Sequence, residues 1–290
     1  MSGAIKFVKM HGLGNDYVVI DLFDKGNRDE FEKIPDLKSF AVKVCDRHFG
    51  IGSDGVLLAL PSEAADGKMR IINADGSEAE MCGNGIRCIA RLLLDNGYAK
   101  KSEMKIETAS GVKVITAVGD LLKVDMGSPH LLRKDIPMNG NGSAQAVNEP
   151  LQLKYRKVNV TAVSMGNPHA VIFVNDAGID LDAFDIEEIG REVERHAYFP
   201  KRANVEFVDV ISPSQIELRV WERGVGETLA CGTGACAAVV ASVLNEKTGR
   251  KVSVHLRGGN LSVEWARDNH VYMTGPATAV FSGAISALPQ

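Results

Sequence analysis

The chain has 290 residues, of which 45% are hydrophobic and 24% charged, with a formal net charge of −4; this is the profile of an ordinary globular protein with room for two modest domains. Such a charge offers no footprint for nucleic acid or an anionic lipid surface, and no apolar run approaches the roughly 20 residues of a membrane span. The five cysteines (45, 82, 88, 231 and 236) are odd in number and sparse, which argues against a secreted disulfide framework. With no signal peptide apparent, a cytoplasmic location is expected.

In chain order, residues 4–9, 17–22, 55–60 and 68–73 are short, apolar or alternating, and rich in Val, Ile and Leu, so strands are expected there. From Gly83 the period changes. Ile86, Ile89, Ala90, Leu93 and Leu94 recur at helical spacing until Asn96-Gly97 supplies a stop. Alternation returns over Lys105 to Val118, broken at Ser110-Gly111. Arg133 to Pro150 contains Asn139-Gly140-Asn141-Gly142-Ser143 and no hydrophobic period, and reads as a loop or linker. A second helix follows Gly232, with Ala235, Ala238, Val239, Ser242 and Val243 on its spacing and an end near Asn245. Val252 to Glu264 then alternates around a Gly258-Gly259-Asn260 turn.

One pattern is written twice. Met81-Cys82-Gly83-Asn84-Gly85 recurs 149 residues later as Ala230-Cys231-Gly232-Thr233-Gly234. Asn73 lies nine residues before the first cysteine and Glu222 nine before the second. Gly14-Asn15-Asp16 with Val18-Val19-Ile20 answers Gly166-Asn167-Pro168 with Ala170-Val171-Ile172, and Val124 to Gly127 answers Tyr272 to Gly275. Four correspondences in one order make the chain two copies of one unit. Each copy reads as strands, one helix, then strands, which suggests a helix enclosed by a curved sheet.

A thiol at a helix start meets unpaired backbone N–H groups and the positive end of the helix dipole, so its thiolate is stabilised and its pKa is expected to fall. The adjoining glycines let backbone N–H groups approach an anion such as a carboxylate. A cysteine taken singly is usually a small buried hydrophobe, and Cys45, Cys88 and Cys236 are read that way. For Cys82 and Cys231 the repeated Cys-Gly-x-Gly context favours an acid–base pair. Neither Cys82 with Cys88 nor Cys231 with Cys236 has metal-site spacing. Gly232-x-Gly234-x-x-Ala237 fits a relaxed dinucleotide fingerprint, but no hydrophobic strand runs directly into it.

At these residues the sequence resembles the diaminopimelate epimerases. The resemblance runs nearly end to end, through His11 to Asp16, Asp46-Arg47 to Gly55, Asn73 to Ser77, Glu80 to Gly85, Gly166 to His169, Ala203 to Glu206, and Trp221-Glu222-Arg223-Gly224 to Gly234. It implies an α/β fold of the α+β type, with two pseudosymmetric domains, each a barrel-like, mostly antiparallel sheet around a central helix. The family's last strand returns to the first domain, which assigns 1–127 with 277–290 to one half and 128–276 to the other. It further implies a homodimer and a cofactor-independent, metal-free interconversion of LL- and meso-2,6-diaminopimelate in lysine and peptidoglycan-precursor biosynthesis, in a cleft between the halves.

Inverting an α-carbon without a cofactor needs a base on one face and an acid on the other, and two thiols from two halves meet that need. By resemblance Cys82 and Cys231 exchange these roles, and His169 and Glu222 modulate the thiols. Asn15, Asn73, Asn167, Asn204, Glu222 and Arg223 are expected to bind substrate, together with the backbone of Gly83, Asn84, Gly232 and Thr233. Arg223 suits a bidentate grip on a carboxylate and Glu222 suits an ammonium group. Two positions depart from some relatives: Gly55 stands where they carry Gln, and Phe281 where they carry Tyr at the dimer contact. The nearest rival is a proline or hydroxyproline racemase, followed by an isomerase branch that lacks the paired thiols. From another class, a thiol redox sensor would also use paired low-pKa cysteines.

Overall fold

The computed structural model describes residues 3–286, so the last four residues of the expected 277–290 segment lie outside the described residues. The chain divides into two compact units. One runs up to Val124 and resumes at Gly275; the other is Asp125–Thr274.

The first unit opens with a hairpin of β1 (Ile5–Gly12) and β2 (Asn15–Asp21). Its two-residue turn, Leu13-Gly14, has positive φ at both positions, the condition of the turn that matches strand twist. Helices α1 (Lys25–Phe31) and α2 (Leu37–Cys45) carry the chain over to β3 (Gly55–Leu60), which pairs parallel with β2. Next come β4 (Gly67–Asn73), antiparallel to β3, and the short β5 (Glu78–Ala79). Helix α3 (Gly83–Asp95) then crosses to β6 (Glu103–Thr108), parallel to β4. Strands β7 (Gly111–Val118) and β8 (Leu121–Asp125) finish the run antiparallel, and the closing strand, Thr278–Ile285, pairs with the free side of β1.

Helix α3 packs against β1, β2, β3, β4, β6 and the closing strand, so the sheet curves around it. Successive strand residues point to opposite faces. Val18, Ile20, Val56 and Leu58 join Phe40, Ala41 and Val44 of α2 in one core. Their neighbours Tyr17 and Leu57 meet the start of α3 on the other face. Both faces are covered, which explains the near-continuous apolar runs in β2 and β3.

The second unit repeats this path. It contains β9 (Glu149–Gln152), β10 (Lys157–Ser164), β11 (Pro168–Phe173), α4 (Val174–Ala177), α5 (Ile186–Glu194), β12 (Asn204–Ser212), β13 (Gln215–Glu222) and β14 (Gly226–Thr228). Helix α6 (Gly232–Leu244) and strands β15 (Lys251–Leu256), β16 (Gly259–Trp265) and β17 (Val271–Gly275) follow. The parallel pairs are now β11 with β12 and β13 with β15, and β9 occupies the place on β10 that the closing strand takes on β1. Helix α6 is apolar on every side and buried from Ala235 to Ser242, as a helix inside a curved sheet must be.

Two expectations need correcting. Each half carries more than one helix. The additional α1, α2, α4 and α5 are short, and α1, α2 and α5 each start at an aspartate (Asp24, Asp36, Asp185) whose carboxylate caps the first turn. Nor is the segment from Arg133 to Pro150 a free linker. Ile136, Met138 and Ala146 sit in the core of the second unit, and buried Arg133 donates to Asn139 O at 2.9 Å and pairs with Glu149. Three isolated apolar residues create no period, so the sequence pattern hid their burial. We expect Ile136→Ala to cost about 2–4 kcal/mol in urea unfolding; a linker residue would cost close to nothing.

Candidate active site

The two cysteines are built alike. Cys82 is the N-cap of α3 at φ −141° and ψ 122°, and its Sγ accepts from Gly85 N at 3.4 Å. Cys231 caps α6 at φ −123° and ψ 115°, and its Sγ accepts from Gly234 N, also at 3.4 Å. Each thiol thus takes the place of the usual Ser or Asp cap. The glycine that donates is closely packed: a Cβ at Gly85 would lie 3.1 Å from Leu57 Cδ2 and one at Gly234 2.8 Å from Glu206 Oε1, so either neighbour would have to shift. The remaining cysteines are buried: Cys88 and Cys236 within their helices, and Cys45 at the end of α2 under the Ser53 hydroxyl. Burial pushes the Cys88 thiol up to about 12.

Around Cys82, the Tyr17 hydroxyl lies 3.1 Å from Sγ. Gly83 and Asn84 are buried in the first turn of α3, where the fully buried Arg87 donates to Gly83 O at 3.0 Å, Asn84 Oδ1 at 2.8 Å and Pro276 O at 3.0 Å. Asn73 ends β4 beside Gly55 and donates to Ser77 Oγ at 3.0 Å. A Cβ at Gly55 would meet Ile72 O at 2.7 Å, so this chain has closed the space that a longer side chain there would need. Asn15 begins β2, and its neighbour Asp16 is held by Arg47 at 2.8 Å and Lys9 at 2.5 Å. Arg47 also reaches Asp54 at 2.7 Å, pinning the loop that enters β3 against the start of β2.

Around Cys231, His169 and Glu206 are both fully buried, with Nδ1 2.7 Å from Oε1. His169 Nε2 lies 3.0 Å from Asn167 Oδ1, whose amide nitrogen donates to Thr233 Oγ1 at 3.3 Å. Both ring nitrogens therefore face oxygens. Thr233 Oγ1 also lies 3.4 Å from Cys231 Sγ. Glu222 accepts from Thr228 Oγ1 at 2.6 Å and lies within hydrogen-bond reach of Cys231. Asn204 Oδ1 accepts from Arg223 N at 2.8 Å, and the exposed Arg223 guanidinium donates to Lys201 O at 2.9 Å.

The lowered pKa expected of a helix-capping thiol does not hold for Cys231. Its pKa is raised well above the ordinary thiol value by burial, with the Glu222 and Glu206 carboxylates adding to the effect. Glu222 is itself raised, chiefly by burial and further by Glu206. The two cap hydrogen bonds and the helix dipole do not offset two carboxylates in a desolvated site.

Asn15, Asn73, Cys82, Gly83 and Asn84 belong to the first unit, and Asn167, His169, Asn204, Glu222, Arg223, Cys231, Gly232 and Thr233 to the second. Phe281 belongs to neither cluster. It stands half exposed on the closing strand opposite Lys9, with its ring 6.0 Å from that of Phe7. Four residues escaped the sequence reading: Tyr17, Arg87, Glu194 and Glu206. Glu194 takes the Trp221 indole N–H at 2.8 Å and Gly224 N at 3.2 Å, which fixes the turn after Glu222. The repeat offset that aligns Asn15 with Asn167 also aligns Tyr17 with His169, and that signal was available in the sequence. Among the described residues no group of three or more His, Cys, Asp or Glu is placed to hold a metal ion, and no helix is long and apolar enough to cross a membrane.

Solved structures with this fold include a PhzF-family phenazine biosynthesis protein from Enterococcus faecalis (TM-score 0.69, 13% identity, 98% of this chain and 100% of that one). A hydroxyproline epimerase from Agrobacterium vitis also shares it (TM-score 0.68, 15% identity, 99% and 93%). The protein is therefore of the two-unit, sheet-dominated α/β class typified by these structures, with a thiol capping the central helix of each unit. The family profile described as "Diaminopimelate epimerase" matches residues 7–132 and 161–280. A diaminopimelate epimerase of Pelotomaculum thermopropionicum is 53% identical over 96% of this chain and 97% of its own, and one of Acetivibrio thermocellus is 50% identical over 97% and 98%. The chain belongs to the diaminopimelate epimerase family.

The raised Glu222 pKa has a consequence for stability. The folded protein holds this proton more tightly than the unfolded chain, so folding takes up a proton between the unfolded pKa of about 4.3 and the higher folded value. Stability from this group is complete below that window and is lost as pH rises through it. In thermal melts, Glu222→Gln is expected to gain on the parent as pH rises from about 4 to about 7. A constant difference between the two curves would show that Glu222 does not titrate abnormally.

Proposed function

We propose that this protein interconverts LL- and meso-2,6-diaminopimelate by a two-base, cofactor-independent proton transfer at Cα. The observation that carries the reading is the repeated cap: one thiol per unit, each accepting the third amide of the helix that it starts. Family membership and relatives at about half identity over nearly the whole chain supply the substrate.

The reaction must remove a very weakly acidic α-hydrogen and return a proton to the opposite face. A single base would tend to return it to the face it left, so two groups are required. We assign them to Cys82 and Cys231, one as thiolate and the other as thiol, with roles exchanged in the reverse direction. The unpaired amides at the helix starts, among Gly83-Asn84 and Gly232-Thr233, are suited to the α-carboxylate and to the charge that develops beside it. Glu222 and His169 control the protonation of Cys231. Asn15, Asn73, Asn167 and Asn204 combine donor and acceptor atoms, as a zwitterion requires, and Arg223 is assigned to a carboxylate. The guanidinium spends one donor on Lys201 O and keeps others for a carboxylate.

We place the activity in the cytoplasm, in the route to lysine and peptidoglycan precursors. We further propose a homodimer, for which the exposed Val280 and Phe281 of the closing strand are the apolar surface on offer. In D₂O, LL-diaminopimelate should acquire deuterium at Cα in step with epimerisation, while L-proline should not turn over. Cys82→Ser and Cys231→Ser should each lose at least about 100-fold in kcat. Wild-type turnover in both variants would end the two-thiol assignment, and turnover of proline alone would change the substrate. A thiol sensor without enzymatic activity would exchange no α-hydrogen at all.

A further inference from the structure

The two units agree in register at the strands beneath the cysteines, and this makes one substitution between them informative. On β2, Tyr17 pairs with Gly55, the first residue of the parallel strand β3. On β11, His169 pairs with Asn204, the first residue of the parallel strand β12. Two residues further along those partners stand Leu57, against Gly85, and Glu206, against Gly234. Equivalent positions thus set a tyrosine and a leucine beneath Cys82, where the second unit sets a histidine and a glutamate beneath Cys231.

Tyr17 is buried with 3% exposure, and its hydroxyl lies 3.1 Å from Cys82 Sγ. Burial, reinforced by the negative charge of a Cys82 thiolate, raises the phenol well above its ordinary pKa, so the hydroxyl keeps its proton. It therefore can donate to a thiolate and accept from a thiol, without competing for the proton being moved. The other titratable or charged groups close to this pair are Cys88 on α3, Asp54 at the entrance to β3, and Arg87 beside Cys88. Cys88 is held neutral by its raised pKa. Asp54 is engaged by Arg47 and by Asp16 N, and Arg87 by Gly83, Asn84 and Pro276. Cys82 Sγ itself is met by the Tyr17 hydroxyl and by Gly85 N.

We propose that Tyr17 is a positioning residue for Cys82: its hydroxyl donates to Sγ, holds the sulfur as thiolate, and fixes its direction at the cap. At the equivalent position of the second unit His169 faces Glu206 and Asn167 instead. The inference rests on Cys82 being one of the two reacting thiols, and its test reads Cys82 directly.

Alkylation of Cys82 and Cys231 by iodoacetamide would be followed peptide by peptide by mass spectrometry across about pH 5 to 10, in the full chain without substrate. Tyr17→Phe should move the pH midpoint for Cys82 up by about one unit, slowing its labelling below the midpoint roughly tenfold, and leave Cys231 where it was. Replacing Tyr17 with 3-fluorotyrosine, a stronger donor of nearly the same shape, should move the Cys82 midpoint down. A role confined to packing cannot produce opposite signs. An unmoved Cys82 midpoint, or an equal shift in both cysteines, overturns the proposal. Should Tyr17→Phe fail to fold, as judged by circular dichroism, the fluorotyrosine protein decides: a downward shift supports the assignment, and no shift or an upward one defeats it. A shift in Cys82 in a protein that does not turn over diaminopimelate would sustain this inference while removing the proposed substrate.

Discussion

Each half of this protein is organised around a sulfur atom accepting the third backbone amide of the helix that it starts. An N-cap hydrogen bond is worth about 1 kcal/mol, a modest share of the stability of a domain. What it demands of its surroundings is larger. The first turn presses against the neighbouring sheet so closely that a methyl group on the amide donor would have to displace Leu57 or Glu206. The sheet curves around α3 and α6, and α6 is buried on all sides.

The repeat, the cap cysteines and the two central helices were legible in the sequence because each carries a local signal: a glycine pair, a change of period, a stop at Asn96-Gly97. Parallel pairing of β2 with β3 and of β11 with β12 was not, since a register between distant strands leaves no periodic mark. The peripheral helices α1, α2 and α5 are only seven to nine residues long, and their aspartate caps are weak signals alone. Ile136, Met138 and Ala146 are buried through tertiary contact alone, which is why their segment read as a linker.

Site residues divide in the same manner. Cys82, Cys231, His169 and Glu222 are found by motif and offset, but the direction of the Cys231 shift could not be, because it depends on Glu206. That glutamate lies on β12 between Val205 and Phe207, where the sequence shows only a charged residue in a mostly apolar strand. Its Oε2 has no hydrogen-bond partner among the described residues, and its other oxygen is held by His169. A carboxylate buried so completely is costly unless paired, so the histidine and the glutamate are one device and neither is separable from the other.

The duplication explains why the geometry is shared, and divergence beneath the caps explains why the chemistry is not. Identical thiols with identical cap geometry would have the same proton affinity, and a pair with equal affinity has no preferred resting state. Here one thiol faces a neutral phenol and a leucine, and the other faces two carboxylates and an imidazole. Burial disfavours a thiolate at Cys231, and the Glu222 and Glu206 side chains add to the effect. Within a scaffold copied twice, the difference beneath the caps lies in two pairs of side chains, Tyr17 with Leu57 and His169 with Glu206.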